Sequence, residues 1–261
     1  MIGIFDSGIG GLTVVKAVME KTPGYDIIYF GDTARTPYGS KSSETVIQYA
    51  IEDTKFLLNN GANVIVVACN TASSVATETI VNNFDVPVFE VITPAVELAL
   101  ESSKKMSIGV IGTRATIKSS IYESKIKAVN TAARVYSVAC PLLVPLVEEG
   151  WINKPETAMI VKKYLHSLKV KQIDTLILGC THYPLLKHII SRKIGKKVNI
   201  IDSSIGVANK LENYLKEHPE VDKRLGKNGK TKIFVSDITE QFGKTAKATL
   251  RNNVVLEHAR I

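Results

Sequence analysis

The chain has too few cysteines for a disulfide framework, and none is spaced for a metal. Cys69, Cys140 and Cys180 are an odd number with wide separations and no CxxC or CxxH pattern, so neither a disulfide scaffold nor a structural metal site follows. Free thiols fit a reducing, cytoplasmic setting. Long apolar runs are also missing. No window approaches the roughly eighteen consecutive apolar residues that a membrane span needs. The opening Met1-Ile2-Gly3-Ile4-Phe5 reads as a strand rather than a basic segment leading into an apolar one, so no export signal is expected. No aromatic residue interleaves the densest basic run, Arg192-Lys193-Ile194-Gly195-Lys196-Lys197. The formal charge of +8 therefore reads as a solvated, lysine-rich surface and not as a nucleic-acid site, which needs clustered cations and stacking rings.

What is present is a chain of 261 residues, 45% hydrophobic, long enough to bury two modest cores. Short runs rich in Val and Ile alternate with segments of helical period. Parallel strands buried on both faces and covered by helices give this pattern, so the fold class is α/β. Strands are expected near 2–5, 26–30, 63–68, 87–91, 107–111, 134–138, 174–178, 198–201, 232–236 and 253–256. Helices are expected over 11–21, 42–59, 72–83, 94–103, 115–129, 155–168, 184–192, 204–217 and 239–251.

A weak internal repeat divides these elements. Val64-Ile65-Val66-Val67-Ala68-Cys69-Asn70-Thr71 and Thr175-Leu176-Ile177-Leu178-Gly179-Cys180-Thr181-His182 share one design: an apolar strand, a small residue, a cysteine, then polar groups before a helix. Such a repeat suggests two similar domains. Each cysteine then lies just past the carboxyl end of a parallel strand, where open α/β sheets bind ligands. The Thr93-Pro94 step can end one sheet, and Asp202-Ser203-Ser204 can open a helix by side-chain capping. One discontinuous domain is thus placed at 1–92 with 203–261, and an inserted one at 93–202.

The turn Phe5-Asp6-Ser7-Gly8-Ile9-Gly10-Gly11-Leu12-Thr13 sits between a strand and a helix, where glycines let backbone N–H groups approach an anion. Its spacing is neither the dinucleotide fingerprint nor a P-loop. Asp6 would repel phosphate while suiting an ammonium group or a thiol; a turn simply capped by Asp6 is the alternative. Cys69 and Cys180 stand where a helix N-terminus and polar neighbours can favour a thiolate, and His182 adds an imidazole two residues from Cys180. Cys140, in the apolar, proline-interrupted Val138-Ala139-Cys140-Pro141-Leu142-Leu143-Val144-Pro145, is assigned to packing. Two thiols flanking one ligand can serve as base and acid on opposite faces of an α-carbon, each role reversing with direction.

Further polar groups stand at element ends: Asp32, the turn Thr36-Pro37-Tyr38-Gly39-Ser40, Asn70-Thr71, Gly112-Thr113-Arg114-Ala115-Thr116, Glu148-Glu149 and Thr181. Read singly each is a cap or a solvated charge. Together they can ligate a small zwitterion bearing an additional carboxylate.

These segments carry a family resemblance. Phe5-Asp6-Ser7-Gly8-Ile9-Gly10-Gly11-Leu12-Thr13-Val14, Tyr29-Phe30-Gly31-Asp32-Thr33-Ala34-Arg35, Pro37-Tyr38-Gly39, Ala68-Cys69-Asn70-Thr71-Ala72-Ser73, Ile111-Gly112-Thr113-Arg114-Ala115-Thr116, Pro145-Leu146-Val147-Glu148-Glu149-Gly150 and Leu178-Gly179-Cys180-Thr181-His182-Tyr183-Pro184 occur in order along most of the chain. With them the sequence resembles the bacterial glutamate racemases of the aspartate/glutamate racemase group. The resemblance implies two flavodoxin-like domains related by a pseudo-twofold axis, with the active site in the cleft between them. It implies cofactor-independent, metal-free interconversion of L- and D-glutamate for peptidoglycan synthesis. Cys69 would take the proton from D-glutamate and Cys180 from L-glutamate, with Asp6 and His182 assisting the respective thiols and Asp32 and Glu148 as supporting carboxylates. Substrate contacts would come from Asp6, Ser7, Tyr38, Gly39, Asn70, Thr71, Thr113, Thr116, Thr181 and His182. A homodimer is compatible with the family, whereas no nucleic-acid or membrane partner is implied. Members activated by a peptidoglycan precursor carry an N-terminal extension; a chain starting near its first strand is expected to lack that activation. The competing readings are a racemase for aspartate or another amino acid and a nonenzymatic small-anion-binding module. A pyridoxal-phosphate racemase would need a Schiff-base lysine and a phosphate cup, and neither is legible.

Overall fold

The computed structural model describes residues 1–250 and 255–260. In chain order its strands are β1 (Ile2–Asp6), β2 (Ile27–Gly31), β3 (Val64–Val67), β4 (Val88–Glu90), β5 (Ser107–Gly112), β6 (Arg134–Ala139), β7 (Thr175–Gly179), β8 (Asn199–Asp202), β9 (Thr231–Val235) and β10 (Leu256–His258). They form two sheets, ordered β10-β9-β2-β1-β3-β4 and β6-β5-β7-β8. Every pairing is parallel. Strands β1, β2, β3, β5 and β7 are buried along their whole length, as helices on both faces require.

Both sheets share one local order, in which the earliest strand is flanked by the next two: β2-β1-β3 and β6-β5-β7. The chain therefore leaves the central strand in opposite directions, opening a crevice at the carboxyl ends. Asp6 ends β1 and Cys69 follows β3 across that crevice in the first sheet; Thr113 follows β5 and Cys180 follows β7 in the second.

An apolar layer between the sheets fixes how the two crevices face. It joins Ile4 and Val66 of the first sheet to Val110 and Ile177 of the second. Helices add further side chains, among them Val14 and Val18 from Leu12–Lys21, Ala95 and Ala99 from Ile92–Ser102, and Val207 and Leu211 from Ser203–Glu217. Two further clusters pack the outer faces. Close-packed interiors resist small displacements, so the rows of strand ends are held in register. No helix among the described residues is long and apolar enough to cross a membrane.

The elements depart from the sequence reading in several places, of which four bear on the strand ends. The helix expected from residue 94 begins at Ile92, because the Glu90 side chain accepts hydrogen bonds from the Ile92 and Thr93 N–H groups. Pro94 then lies in the first turn, where its missing N–H costs nothing. The helix expected over 72–83 is two pieces, Asn70–Val75 and Thr77–Asn83, and the Thr77 hydroxyl donates to the Ser73 carbonyl at 3.0 Å beside the break. The helix expected over 115–129 likewise divides, into Arg114–Lys118 and Ile121–Val129, at Ser120 with φ of 56°. A helix over Leu143–Glu148, not expected from a proline-interrupted run, accommodates Pro145 in its first turn. Of the strand expected at 253–256, residues 253 and 254 lie outside the described residues, as does residue 251 of the helix expected over 239–251.

Candidate active site

Strand ends of both sheets meet in one polar region, linked by the Thr71–Thr113 and Thr181–Asp6 contacts. Cys180, directly after β7, has its sulfur 3.7 Å from Nδ1 of His182. The other ring nitrogen, Nε2, stands 2.6 Å from Oε1 of Glu148, at the end of helix Leu143–Glu148. The same carboxylate oxygen accepts the Ile9 N–H at 3.3 Å, which ties the second sheet's thiol to the glycine turn after β1. His182 is 2% exposed. Burial opposes a charged imidazole, but hydrogen bonds to Cys180 and Glu148 outweigh it and hold His182 well above its ordinary value. For Glu148, burial acts upward, and the bond and charge of His182 bring the carboxyl below its usual range.

The Cys69 side has the opposite character. Its thiol faces the Ser7 hydroxyl at 3.9 Å and lies in the field of the fully buried Asp6. Burial, and then the Asp6 charge, push the thiol far up. Asp6 accepts the Gly11 N–H at 2.7 Å and the Thr181 hydroxyl at 3.1 Å, so it caps the glycine turn and also reaches across to the second sheet. Burial raises its own carboxyl above the ordinary value, partly offset by His182, Thr181 and Gly11. One thiol thus stands beside an imidazole and the other in the field of a carboxyl.

Hydroxyls and an amide make further contacts at the same strand ends. The Thr71, Thr113 and Thr116 hydroxyls lie 3.0 to 3.3 Å from one another. Thr113 also caps helix Arg114–Lys118 by accepting the Thr116 N–H. Gly39 packs so closely on Thr113 that an added Cβ would come 2.6 Å from its Cγ2. Asn70 Oδ1 accepts the Tyr122 hydroxyl at 2.6 Å, and its Nδ2 faces Ser203 Oγ at 3.5 Å. A separate cavity of about 630 Å³, lined by Thr13, Lys16, Leu185, Gln241 and Lys244 among others, holds neither thiol.

The residues expected from sequence are therefore gathered, with one distinction. Cys180, His182 and Glu148 form one set of contacts, Asp6 and Thr181 a second, Cys69 and Ser7 a third and Thr71, Thr113 and Thr116 a fourth, while Asn70 bonds to Tyr122. Asp32 bonds instead to Arg35, Tyr38 and Ser236, beneath the Tyr38-Gly39 turn. Cys140 packs in an apolar cluster with its sulfur 3.6 Å from the Val138 carbonyl, and burial pushes its thiol up. Sequence reasoning missed Tyr122, Arg35 and Asp53. Asp53 did leave a signal: it falls on the buried stripe Val46, Ala50, Asp53, Thr54, Leu57 of helix Ser43–Asn59, where an unpaired charge would be costly.

With this geometry in hand, the profile of the Asp/Glu/hydantoin racemase family matches residues 12–209. The chain belongs to the Asp/Glu/hydantoin racemase family. It is 49% identical to a glutamate racemase of Persephonella marina over 256 residues, covering 98% of this chain and 95% of that one. Among solved structures, a glutamate racemase of Bacillus anthracis superposes with a TM-score of 0.93 at 36% identity, covering 100% of this chain and 97% of that one. A Francisella tularensis glutamate racemase in complex with D-glutamate superposes with a TM-score of 0.90 at 39% identity, covering 99% and 97%. The two-sheet architecture is that of this racemase fold.

Proposed function

We propose that this racemase interconverts L- and D-glutamate by two-thiol proton transfer and so supplies D-glutamate for peptidoglycan synthesis in the cytoplasm. The observation that carries the mechanism is the contrast between the thiols: Cys180 beside His182, and Cys69 beside Asp6. In the L-to-D direction the Cys180 thiolate, balanced by the His182 cation, takes the α-proton and becomes a thiol. The Cys69 thiol delivers its proton to the opposite face and becomes a thiolate. That state is the one that acts on D-glutamate, so the reverse reaction runs through the same groups with the roles exchanged.

The developing negative charge at the α-carbon is met by oriented donors and not by bulk water. Asn70, Thr71, Thr113, Thr116 and Thr181, with the backbone of the Tyr38-Gly39 turn, are the groups placed to hold the two carboxylates, and Asp6 and Ser7 the ammonium end. Buried donors fixed before the reaction stabilise charge without reorganising during it. The substrate assignment is supported by the likeness to glutamate racemases over nearly the whole chain. We read residues 1–92 with 203–261 and 93–202 as the two domains, each built on one sheet and contributing one thiol.

Incubation of the purified protein with L-glutamate in deuterated water, followed by chiral analysis, tests the reading. Deuterium at the α-carbon of newly formed D-glutamate is expected. Absence of D-glutamate, or equal turnover of aspartate, would remove glutamate racemisation as the function.

A further inference from the structure

Asp53 is a fully buried carboxyl that the reaction above does not use. It belongs to a cluster in which three carboxyls surround one guanidinium. Arg35 Nε donates to Asp32 Oδ2 at 2.6 Å, its Nη1 pairs with Glu52, and its Nη2 donates to Asp53 Oδ1 at 3.1 Å. The guanidinium also stacks on Tyr49, 4.0 Å from the ring centre. Glu52 is partly exposed and accepts a further bond from Gln48. Asp32 and Asp53 have no exposure at all, so two full negative charges beside a single shared cation would be unbalanced in a dry site.

The Tyr38 hydroxyl decides where the missing proton resides. It contacts Asp32 Oδ2 and also Asp53 Oδ2, the latter at 2.9 Å. A phenol has one proton to donate and can accept one. Asp32 takes the shortest Arg35 bond that either aspartate receives, and Ser236 donates to its other oxygen at 2.9 Å, so the ionised carboxylate and the phenolic proton belong on that side. The remaining Tyr38–Asp53 contact is then a hydrogen bond only if Asp53 donates. We propose that Asp53 is a neutral carboxylic acid that donates its proton to Tyr38 and thereby positions the Pro37-Tyr38-Gly39 turn against Thr113. Burial and the neighbouring Asp32 charge act in the same direction, holding the Asp53 carboxyl well above its usual range.

Asp53 is on this view a positioning residue acting through Tyr38. That role rests on the reading of the Tyr38-Gly39 turn as a substrate contact, whereas the protonation state does not. Asparagine keeps the shape and supplies an N–H donor to Tyr38 together with an acceptor for Arg35; alanine supplies neither. Infrared difference spectra of wild type against Asp53→Asn at neutral pH should show the carbonyl stretch of a protonated carboxylic acid in the wild type only. Asp53→Asn should keep kcat and KM within about threefold of wild type, while Asp53→Ala and Tyr38→Phe raise KM for glutamate about three- to tenfold with kcat largely retained, the loss of one hydrogen bond felt in binding. Absence of the infrared band, or an Asp53→Asn variant as impaired as Asp53→Ala, would overturn the proposal. Should Asp53→Ala not fold, Tyr38→Phe carries the KM comparison. A wild-type protein that racemises nothing would instead defeat the functional reading and the positioning role with it, leaving the band to decide the proton alone.

Discussion

The sulfur of Cys180 lies 3.7 Å from Nδ1 of His182, and this contact, with Glu148 behind the ring, reverses what burial alone does to the imidazole. Among the described residues, the charge that acts most on the Cys69 thiol is that of Asp6. On the two-thiol mechanism proposed above, the two thiol settings are thus asymmetric. Because the two enantiomers have equal free energies in water, kcat/KM must remain equal in both directions; the asymmetry can show only in kcat and KM taken separately, and in proton exchange.

Removing one thiol should separate these. Cys69→Ser and Cys180→Ser are each expected to lower racemisation by about 10²–10⁴-fold, the usual contribution of a positioned acid or base. Cys69→Ser should still exchange the α-proton of L-glutamate with deuterated solvent with retention, and Cys180→Ser that of D-glutamate. Proton NMR of each enantiomer reads this directly. The opposite pairing would reverse the assignment of the thiols.

Glu148→Gln removes the carboxylate behind His182, and its effect on stability should depend on pH. The His182 value is raised, so its contribution is complete below the ordinary 6.5 and fades as pH climbs through the higher folded value. The Glu148 value is lowered, so its contribution is complete above the ordinary 4.5 and fades as pH falls through the lower folded value. The gap in Tm between wild type and variant should thus be widest between about pH 4.5 and 6.5, persist some way above it, and narrow at both extremes. A gap independent of pH would mean the pair carries no charge.

Gly10 lies against His182 so closely that an added Cβ would come 2.6 Å from Nδ1 and 2.7 Å from the backbone nitrogen. Gly10→Ala must push the Thr181-His182 segment away from Asp6 and from the Cys180 sulfur. Overpacking of this kind costs about 1–3 kcal/mol. A fall in kcat/KM of about tenfold or more is expected as well, since misplacing a catalytic group by about 1 Å costs up to 10²-fold. Steady-state kinetics with denaturant titration would separate the two effects.

Tyr29 reaches from β2 to donate its hydroxyl to the Gly8 carbonyl at 2.6 Å in a fully buried setting. Tyr29→Phe leaves that carbonyl without its partner, so urea unfolding should report a loss of about 1–3 kcal/mol with unchanged m-value.

Much of this was legible in the sequence because the signals were local. Val- and Ile-rich runs placed the strands, and the matched flanks of Cys69 and Cys180 placed both thiols at strand ends. The Asp202 cap was readable from Asp202-Ser203-Ser204, and its carboxylate accepts the Ser204 N–H at 3.0 Å. What escaped depends on side chains meeting across distance. Glu90 caps a helix from the end of a strand, so the start at Ile92 was hidden behind Pro94. Arg35 and Asp53 are 18 residues apart, and their pairing needs helix Ser43–Asn59 folded against β2. Tyr122 meets Asn70 only once the two sheets have packed, since 52 residues separate them in the chain.

The triangle of Thr71, Thr113 and Thr116 hydroxyls bears on how ligands compete for this protein. These groups satisfy one another across the two sheets, so on the proposed substrate assignment a carboxylate would gain their bonds only by displacing the ones they share. Affinity then measures an exchange, and the yield from each hydroxyl is the margin by which an anion outperforms a neighbouring alcohol. On the proposed substrate assignment, a ligand with a neutral polar group at that position would obtain almost no margin, and the triangle would favour an anionic side chain.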